Sequence, residues 1–363
     1  MIVGGMRRRV LVLALLAVGC GRHVDLCETG DATVLVDDRA VSGYGIAADA
    51  QGWLVVWSEA PAGTSTTTIR AARPGGAPID VATVEGFGPV AAAAAGGGTL
   101  ACWSGTCAVL DEGLRPGPTH DSGMMIGALA RVDGQLVGID SARSVVTLDE
   151  SGSPSSTPVE LPCDRLGWGD RALVCLTKSD PLCVTQHADP PDCMYLMQLL
   201  GPDLAPVSEP LAVVPTGSYP DGYRVHIAGD AGGLLIGWVG SDSALNLQPI
   251  TPEGALGAAA TMGLPGLHFD VTLSPAGGDY AVTWDIGEWP DLTHEYALLD
   301  SGGAVVVGPA SFGAGPPGSD TPTIVASNGS AWALAWVDDY TESGQSDTHM
   351  RLSFRAMGCG ASR

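Results

Sequence analysis

The most constraining feature of this 363-residue sequence is a unit that recurs seven times. Each unit contains an apolar stretch, a turn rich in Gly, Asp or Asn, and a four-residue apolar strand that ends in a large residue. Repetition at a regular spacing indicates that one structural unit is built several times. The large residues that end these strands are Trp57, Trp103, Ile139, Leu176, Trp238, Trp284 and Trp336.

Two more strands complete each of the first six units. A strand and a polar turn follow the large residue, as at residues 251–254, and a fourth strand comes after that turn, as at residues 158–161 and 304–307. Four strands in about 40–50 residues is typical of a propeller blade. The sequence therefore predicts an all-β fold, a single β-propeller of seven four-stranded blades over residues 31–359. The alternatives are tandem β-sandwiches and a ring of six or eight blades.

The two ends of the repeat region complement each other. The seventh unit has no fourth strand, and residues 32–36 form an unassigned strand before the first unit. We expect this strand to pair with the last blade near Leu352, so that Val34 lies beside it. Such closure removes the open strand edges that promote aggregation. It would also bring Cys27 close to Cys359.

Composition excludes some classes of protein. The chain has 51 Gly and 26 Pro but only 16% charged residues, which favours short strands and turns over a helical bundle. With 45% hydrophobic residues it can build a sizeable core. The net charge of −23 argues against a nucleic-acid partner, because binding to phosphates requires Lys and Arg.

The N-terminus has the pattern of an export signal. A basic segment, residues 7–9, precedes nine apolar residues that are too few to span a bilayer. The next residues end in Leu-Ala-Val-Gly-Cys20, which resembles a bacterial lipobox. The resemblance implies that residues 1–19 are removed, that Cys20 is lipidated, and that residues 20–30 tether the domain to the envelope. Under enterobacterial sorting rules, Gly21 favours the outer membrane. An ordinary secretion signal is the alternative, and residues 360–363 form a tail.

The other eight cysteines are an even number, which suggests disulfides in an exported chain. Two pairs flank short predicted turns, at residues 104–105 and near Gly169, and a third pair brackets Asp-Pro-Pro-Asp. A zinc site is less favoured, because no Cys-x₂-Cys pair is present. The expected pairs are Cys102–Cys107, Cys163–Cys175, Cys183–Cys193 and, from the two ends of the domain, Cys27–Cys359.

Two acid-rich loops are the leading candidates for a site. Each follows the second strand of a unit, so both are expected on one face of the disc. Carboxylates and carbonyls are ligands for Ca²⁺, which makes calcium the one possible cofactor, and a solvated surface is the alternative. The loops also carry Trp289 and Tyr340, candidates for a partner surface. The acidic residues are Asp285, Glu288 and Asp291 in the first loop and Asp338, Asp339, Glu342 and Asp347 in the second.

Histidines adjoin carboxylates at two places. His268 and Asp270 alternate onto one face of a strand, and His294 precedes Glu295. An ordinary polar pair is the alternative in both cases.

Residues 273–284, Leu-Ser-Pro-Ala-Gly-Gly-Asp-Tyr-Ala-Val-Thr-Trp, resemble the repeat of Tol-system periplasmic propellers. The resemblance covers one blade and implies a fold, without an activity. The signatures of WD-repeat and sialidase-type propellers are missing from the sequence.

Two functions remain open. The sequence has no nucleophile elbow, phosphate loop, His-Glu-x-x-His or EF-hand motif, which favours a non-catalytic binding or scaffolding propeller anchored in the envelope. Its partners would be the membrane, through the lipid, and an envelope protein or glycan. The alternative is a carbohydrate-active or Ca²⁺-dependent glycan-binding propeller. An enzyme would place two or more carboxylates with a His, Tyr or Arg in one funnel, whereas a scaffold would present a flat or aromatic face.

Overall fold

A computed structural model describes residues 28–29, 31–37, 39–61, 64–179, 194–215, 225–230, 233–239, 244–251, 254–262, 267–276, 279–286, 293–312, 323–328, 331–341 and 348–358. Their regular elements are all β-strands. Within these ranges there is no helix with the length and hydrophobicity needed to cross a membrane. The predicted signal peptide, Cys20 and the C-terminal tail lie outside them.

The described part of the chain starts with two short strands and continues in antiparallel meanders. The short strands are β1 (Glu28–Thr29) and β2 (Thr33–Asp37). The first meander is β3 (Ala40–Asp49), β4 (Gly52–Ala60), β5 (Thr66–Ala72) and β6 (Ile79–Glu85). The second is β7 (Val90–Ala95), β8 (Gly98–Trp103), β9 (Thr106–Leu110) and β10 (His120–Asp121). The third is β11 (Ala128–Val132), β12 (Gln135–Ile139), β13 (Ser144–Leu148) and β14 (Val159–Glu160).

The remaining strands continue the same pattern. The fourth meander is β15 (Arg165–Trp168), β16 (Leu173–Lys178), β17 (Met194–Leu200) and β18 (Leu211–Pro215). The fifth is β19 (Val225–Asp230), β20 (Gly233–Val239), β21 (Leu245–Ile250) and β22 (Ala260–Met262). The sixth is β23 (Leu267–Ala276), β24 (Asp279–Ile286), β25 (Thr293–Leu299) and β26 (Val305–Ser311). The last strands are β27 (Ile324–Ser327), β28 (Trp332–Thr341) and β29 (Thr348–Gly358).

The predicted β-propeller is confirmed, but the predicted count of seven separate blades is wrong. Hydrogen bonding gives five separate blades, while the fourth and fifth meanders form one continuous eight-stranded sheet. Their innermost strands, β15 and β19, pair in parallel at Trp168 and Ala228. Glycine permits this approach, because a Cβ on Gly167 would overlap the side chain of Ile227. A repeat pattern marks each meander but does not reveal whether two neighbouring inner strands come close enough to bond.

The N-terminal strand closes the last sheet, as expected. Strand β2 pairs antiparallel with β29, with Val34 opposite Ser353 and Val36 opposite Leu352. Strand β1 pairs with the far end of β29, so this sheet has five strands. The side chain of Val36 is buried in a cluster with Leu352. Closure is therefore stabilised by apolar packing as well as by backbone hydrogen bonds.

The large residues that mark the repeat form the cores between adjacent blades. All seven are buried, with exposures from 0% at Trp57 and Leu176 to 8% at Trp238. On the inner side, strands β3, β7, β11, β15, β19, β23 and β27 supply residues around a central cavity of about 540 Å³. The alanine run at residues 91–95 belongs to β7, and four of its alanines line that cavity. Small side chains allow these inner strands to pack close to the axis.

Candidate functional site

Two of the four predicted disulfides are confirmed. Cys102 and Cys107 are directly opposite each other on β8 and β9, with Cα atoms 4.1 Å apart. The intervening turn has positive φ at both Ser104 and Gly105, as a tight two-residue hairpin requires. Cys163 bonds to Cys175 and ties the segment before β15 to β16. The cysteines of the other two pairs, Cys27, Cys183, Cys193 and Cys359, lie outside the described residues.

The structure describes only part of the two acid-rich loops. Asp285 ends up near Asp338, although the two residues come from different sheets. Glu288, Trp289, Asp291, Glu342 and Asp347 lie outside the described residues, as do the side chains of His268, Asp270, Asp339 and Tyr340.

A buried histidine joins the two described carboxylates. His294 lies on β25 opposite Asp285, and its Nδ1 is 2.7 Å from Asp285 Oδ1. Its Nε2 is 3.5 Å from Oδ1 of Asp338, on β28 of the last sheet. The ring stacks on Phe312, with 5.4 Å between ring centroids, and only 1% of His294 is exposed. Acids from two different blades therefore meet at one imidazole.

The surroundings of His294 favour its charged form. Burial away from water lowers the pKa of the imidazole, but contacts with Asp285 and Asp338 outweigh burial and raise this pKa to about 9. At neutral pH the group is a buried cation between two carboxylates. Solvent does not reach this group, and its contacts with Asp285 and Asp338 link the sixth blade to the last one.

The second carboxylate is also held by a tryptophan. Trp336 donates from Nε1 to Oδ2 of Asp338 at 2.9 Å, and in the first blade Trp57 donates to Oε2 of Glu59 at 2.8 Å. Arg70 completes that second cluster with a 2.8 Å ion pair to Glu59. In both blades, a core tryptophan therefore donates a hydrogen bond to the acidic side chain two residues later.

The calcium hypothesis gains no support from the described residues. Among them, no group of three or more His, Cys, Asp or Glu side chains is arranged to hold a metal ion. Asp285 and Asp338 face His294, whose positive charge takes the place that a cation would occupy.

The sequence singled out His294 only as a neighbour of Glu295. These two side chains point to opposite faces of β25, and the true partner of His294 is Asp285 across the hairpin. The pairing of His294 with Asp285 follows from the antiparallel register of β24 and β25. The sequence alone leaves this register undetermined, because the connecting loop has no recognisable turn motif.

Exposed apolar side chains reveal a second feature. Most lie singly in, or just before, the outermost strand of a blade. Phe87, 55% exposed, and Met125, 57% exposed, are different because each lies in a loop between two blades. The large exposed hydrophobic residues are Val34, Ile79, Phe87, Met125, Val159, Val207, Leu256, Val305 and Val306.

The loops that carry Phe87 and Met125 pack against one turn, residues 104–105. The Cβ that Gly88 lacks would lie 3.1 Å from Oγ of the turn's serine, and Ser122 donates from its backbone N to the turn's glycine carbonyl at 2.8 Å. We call Phe87, Met125 and this turn the hairpin face. The turn follows the second strand of its blade, so it lies on the side of the disc at which the second strands β24 and β28 end.

Comparisons with known proteins agree with the propeller assignment. No family model matches the chain, and no curated protein matches it. Among solved structures, the WD40 domain of Toxoplasma gondii coronin has a TM-score of 0.52 at 10% identity, covering 93% of this chain and 90% of that one. BamB from Moraxella catarrhalis has a TM-score of 0.41 at 14% identity, covering 86% of this chain and 85% of that one. At such identities the likeness to the coronin domain shows the fold alone.

Proposed function

We propose that this chain is a lipid-anchored binding or scaffolding β-propeller of the bacterial envelope, at the outer membrane, and that it captures a partner protein with its hairpin face. The observation that carries the proposal is the exposure of Phe87 and Met125 on one side of the disc. Aromatic residues and methionine are enriched at protein interfaces. A disulfide secures the hairpin between the two loops, so the surface is ordered before binding and loses little conformational entropy on association.

Export is supported by independent features. The sequence before Cys20 resembles a lipoprotein signal, and the Cys102–Cys107 and Cys163–Cys175 disulfides are chemistry of an oxidising compartment. More than one acyl chain gives firm membrane attachment, because each buried CH₂ contributes about 0.8 kcal/mol.

Binding is favoured over carbohydrate chemistry by the walls of the central cavity. Glycoside hydrolysis uses two carboxylates that flank the scissile bond. The described residues that line the cavity include no Asp, Glu, Lys or Arg. The His294 cluster does have two carboxylates, but the imidazole between them is out of contact with solvent.

The binding proposal predicts that Phe87→Ser with Met125→Ser removes most of the partner recovered by the immobilised protein from solubilised envelope fractions. Loss of two central apolar contacts commonly weakens an interface by about tenfold or more. Val207→Ser is the matched control, since this residue is 62% exposed but lies near an outermost strand. Equal recovery with wild type and the double variant would contradict the proposal.

The anchoring proposal predicts that the wild-type protein incorporates radioactive palmitate in bacterial cells and sediments with membranes. Cys20→Ser is expected to abolish both labelling and sedimentation, because the thiol at this position is the acceptor of the lipid. The matched control is Cys27→Ser, which leaves the lipobox intact. Unchanged labelling of Cys20→Ser would mean that the chain is not anchored in this way.

A further inference from the structure

The central cavity is a separate feature from the hairpin face, and its size suits a small molecule. Its volume is about 540 Å³, within the range of about 300–1,000 Å³ common for small-molecule sites. Its walls come from all the innermost strands, so it lies on the axis of the disc.

The cavity has a largely apolar wall. Besides alanines, large side chains from the four inner strands β11, β15, β19 and β27 line it and remain only partly buried, so part of their surface faces the cavity. A ligand that covers this surface is stabilised by removal of apolar area from water. These partly buried lining residues include Leu129, Leu166, Trp168, Ile227 and Ile324.

The described lining is also uncharged at neutral pH. Its two titratable side chains are Tyr44 and His226. Burial and the nearby charge of Arg165 lower the pKa of His226 to about 4, which keeps its ring neutral. Burial, together with the negative charges of Asp285 and Asp338, raises the pKa of the Tyr44 hydroxyl and keeps that group protonated. An ion in this cavity would lose its hydration without meeting an opposite charge, which is costly.

A few polar side chains interrupt the apolar wall. His226 and Ser274 are among the residues that line the cavity. This combination of apolar walls and a small number of hydrogen-bonding groups is typical of sites that orient an uncharged ligand.

From the size, the apolar wall and the lack of charge in its described lining, we propose that the central cavity binds a neutral, mainly apolar small molecule. The proposal does not depend on the hairpin face or on lipidation, since neither contributes to the cavity wall.

Glycines offer a way to fill the cavity without disturbing the sheets. Gly127 lines the cavity, and a Cβ there would have no neighbour closer than 3.8 Å. Gly45 also lines it but is unsuitable, because its Cβ would lie 2.7 Å from the backbone N of Ala92. Gly97 is a matched control, exposed in the turn before β8 with no atom within 4 Å of a Cβ.

The experiment measures binding of Nile red, a neutral apolar dye, by fluorescence titration at pH 7. Wild type and Gly97→Phe are expected to bind one dye per chain with the same affinity, and Gly127→Phe is expected to bind at least about tenfold more weakly. Phe87→Ser with Met125→Ser is expected to bind as wild type does, which separates the cavity from the hairpin face. The anionic dye 8-anilinonaphthalene-1-sulfonate is expected to bind at least about tenfold more weakly than Nile red.

Several results would overturn the proposal: no saturable Nile red binding to wild type, equal binding to Gly127→Phe, loss of binding in the hairpin-face variant, or equal affinity for the anionic dye. Circular dichroism and the melting temperature establish that Gly127→Phe is folded. If it is not folded, Ala48→Phe, on another inner strand that lines the cavity, takes its place.

Discussion

Val36→Asp is expected to lower the free energy of unfolding by about 4 kcal/mol, a large part of the 5–15 kcal/mol typical of a domain. Val36 is 8% exposed and packs in the cluster that joins β2 to β29. A carboxylate there would be buried with no positive partner supplied, or would force β2 away from the sheet. Urea denaturation followed by tryptophan fluorescence measures the change.

Val34→Asp is the matched control for this prediction. Val34 lies on the same strand, opposite Ser353, but it is 49% exposed, so its variant is expected to lose less than about 1 kcal/mol. If both variants are destabilised equally, or neither is, strand β2 does not close the ring as described.

His294→Ala is expected to cost about 3–5 kcal/mol, because Asp285 and Asp338 would remain buried without the cation between them. The stacking of the ring on Phe312 would be lost as well. The measurement is again the urea midpoint at neutral pH. His120→Ala is the control, because this histidine lies on an outermost strand with no ion pair to a carboxylate among those described. A loss below about 1 kcal/mol in His294→Ala would contradict the ion-pair role.

The same histidine predicts a loss of stability at alkaline pH. Its pKa is about 9 in the folded protein and near the ordinary value of 6.5 when unfolded, so the protonated ring stabilises the fold fully below about pH 6.5. That contribution is lost as the pH rises through 9. A shift of this size corresponds to about 3 kcal/mol. The wild-type protein is therefore expected to lose about 3 kcal/mol more unfolding free energy between pH 6.5 and pH 9.5 than His294→Gln, because glutamine does not titrate. An equal difference in both proteins would rule out this linkage.

Much of the fold follows from local sequence pattern. Turn residues followed by an apolar strand and a large residue identified Trp57, Trp284 and Trp336 as equivalent positions of the repeat, and all three are buried in the structure. The absence of a fourth strand in the last unit predicted that residues near Val34 pair with the region of Leu352. Both inferences depend on the alternation of residues along a strand and on the need to pair an open strand edge. Both properties can be recognised in short segments of sequence.

The missed features depend on contacts between units. Whether β15 and β19 pair depends on how closely Gly167 allows the two backbones to approach. The spacing of repeats along the sequence does not specify this distance. The His294 cluster requires the register of one hairpin and the position of Asp338 in another blade. Asp285 and Asp338 are among the acidic residues that the sequence analysis considered for calcium, and in the structure both carboxylates lie beside the imidazole of His294.

The seam of the ring has a consequence for biogenesis. Arg351 reaches Asp37 across 314 positions of the chain, and β2 has no partner until β29 has been made. Contacts this distant in sequence form slowly, because a long loop must close first. Strand β2 therefore pairs only once nearly the whole chain has been made, and a prematurely terminated polypeptide would leave it as an unpaired strand exposed to chaperones and proteases.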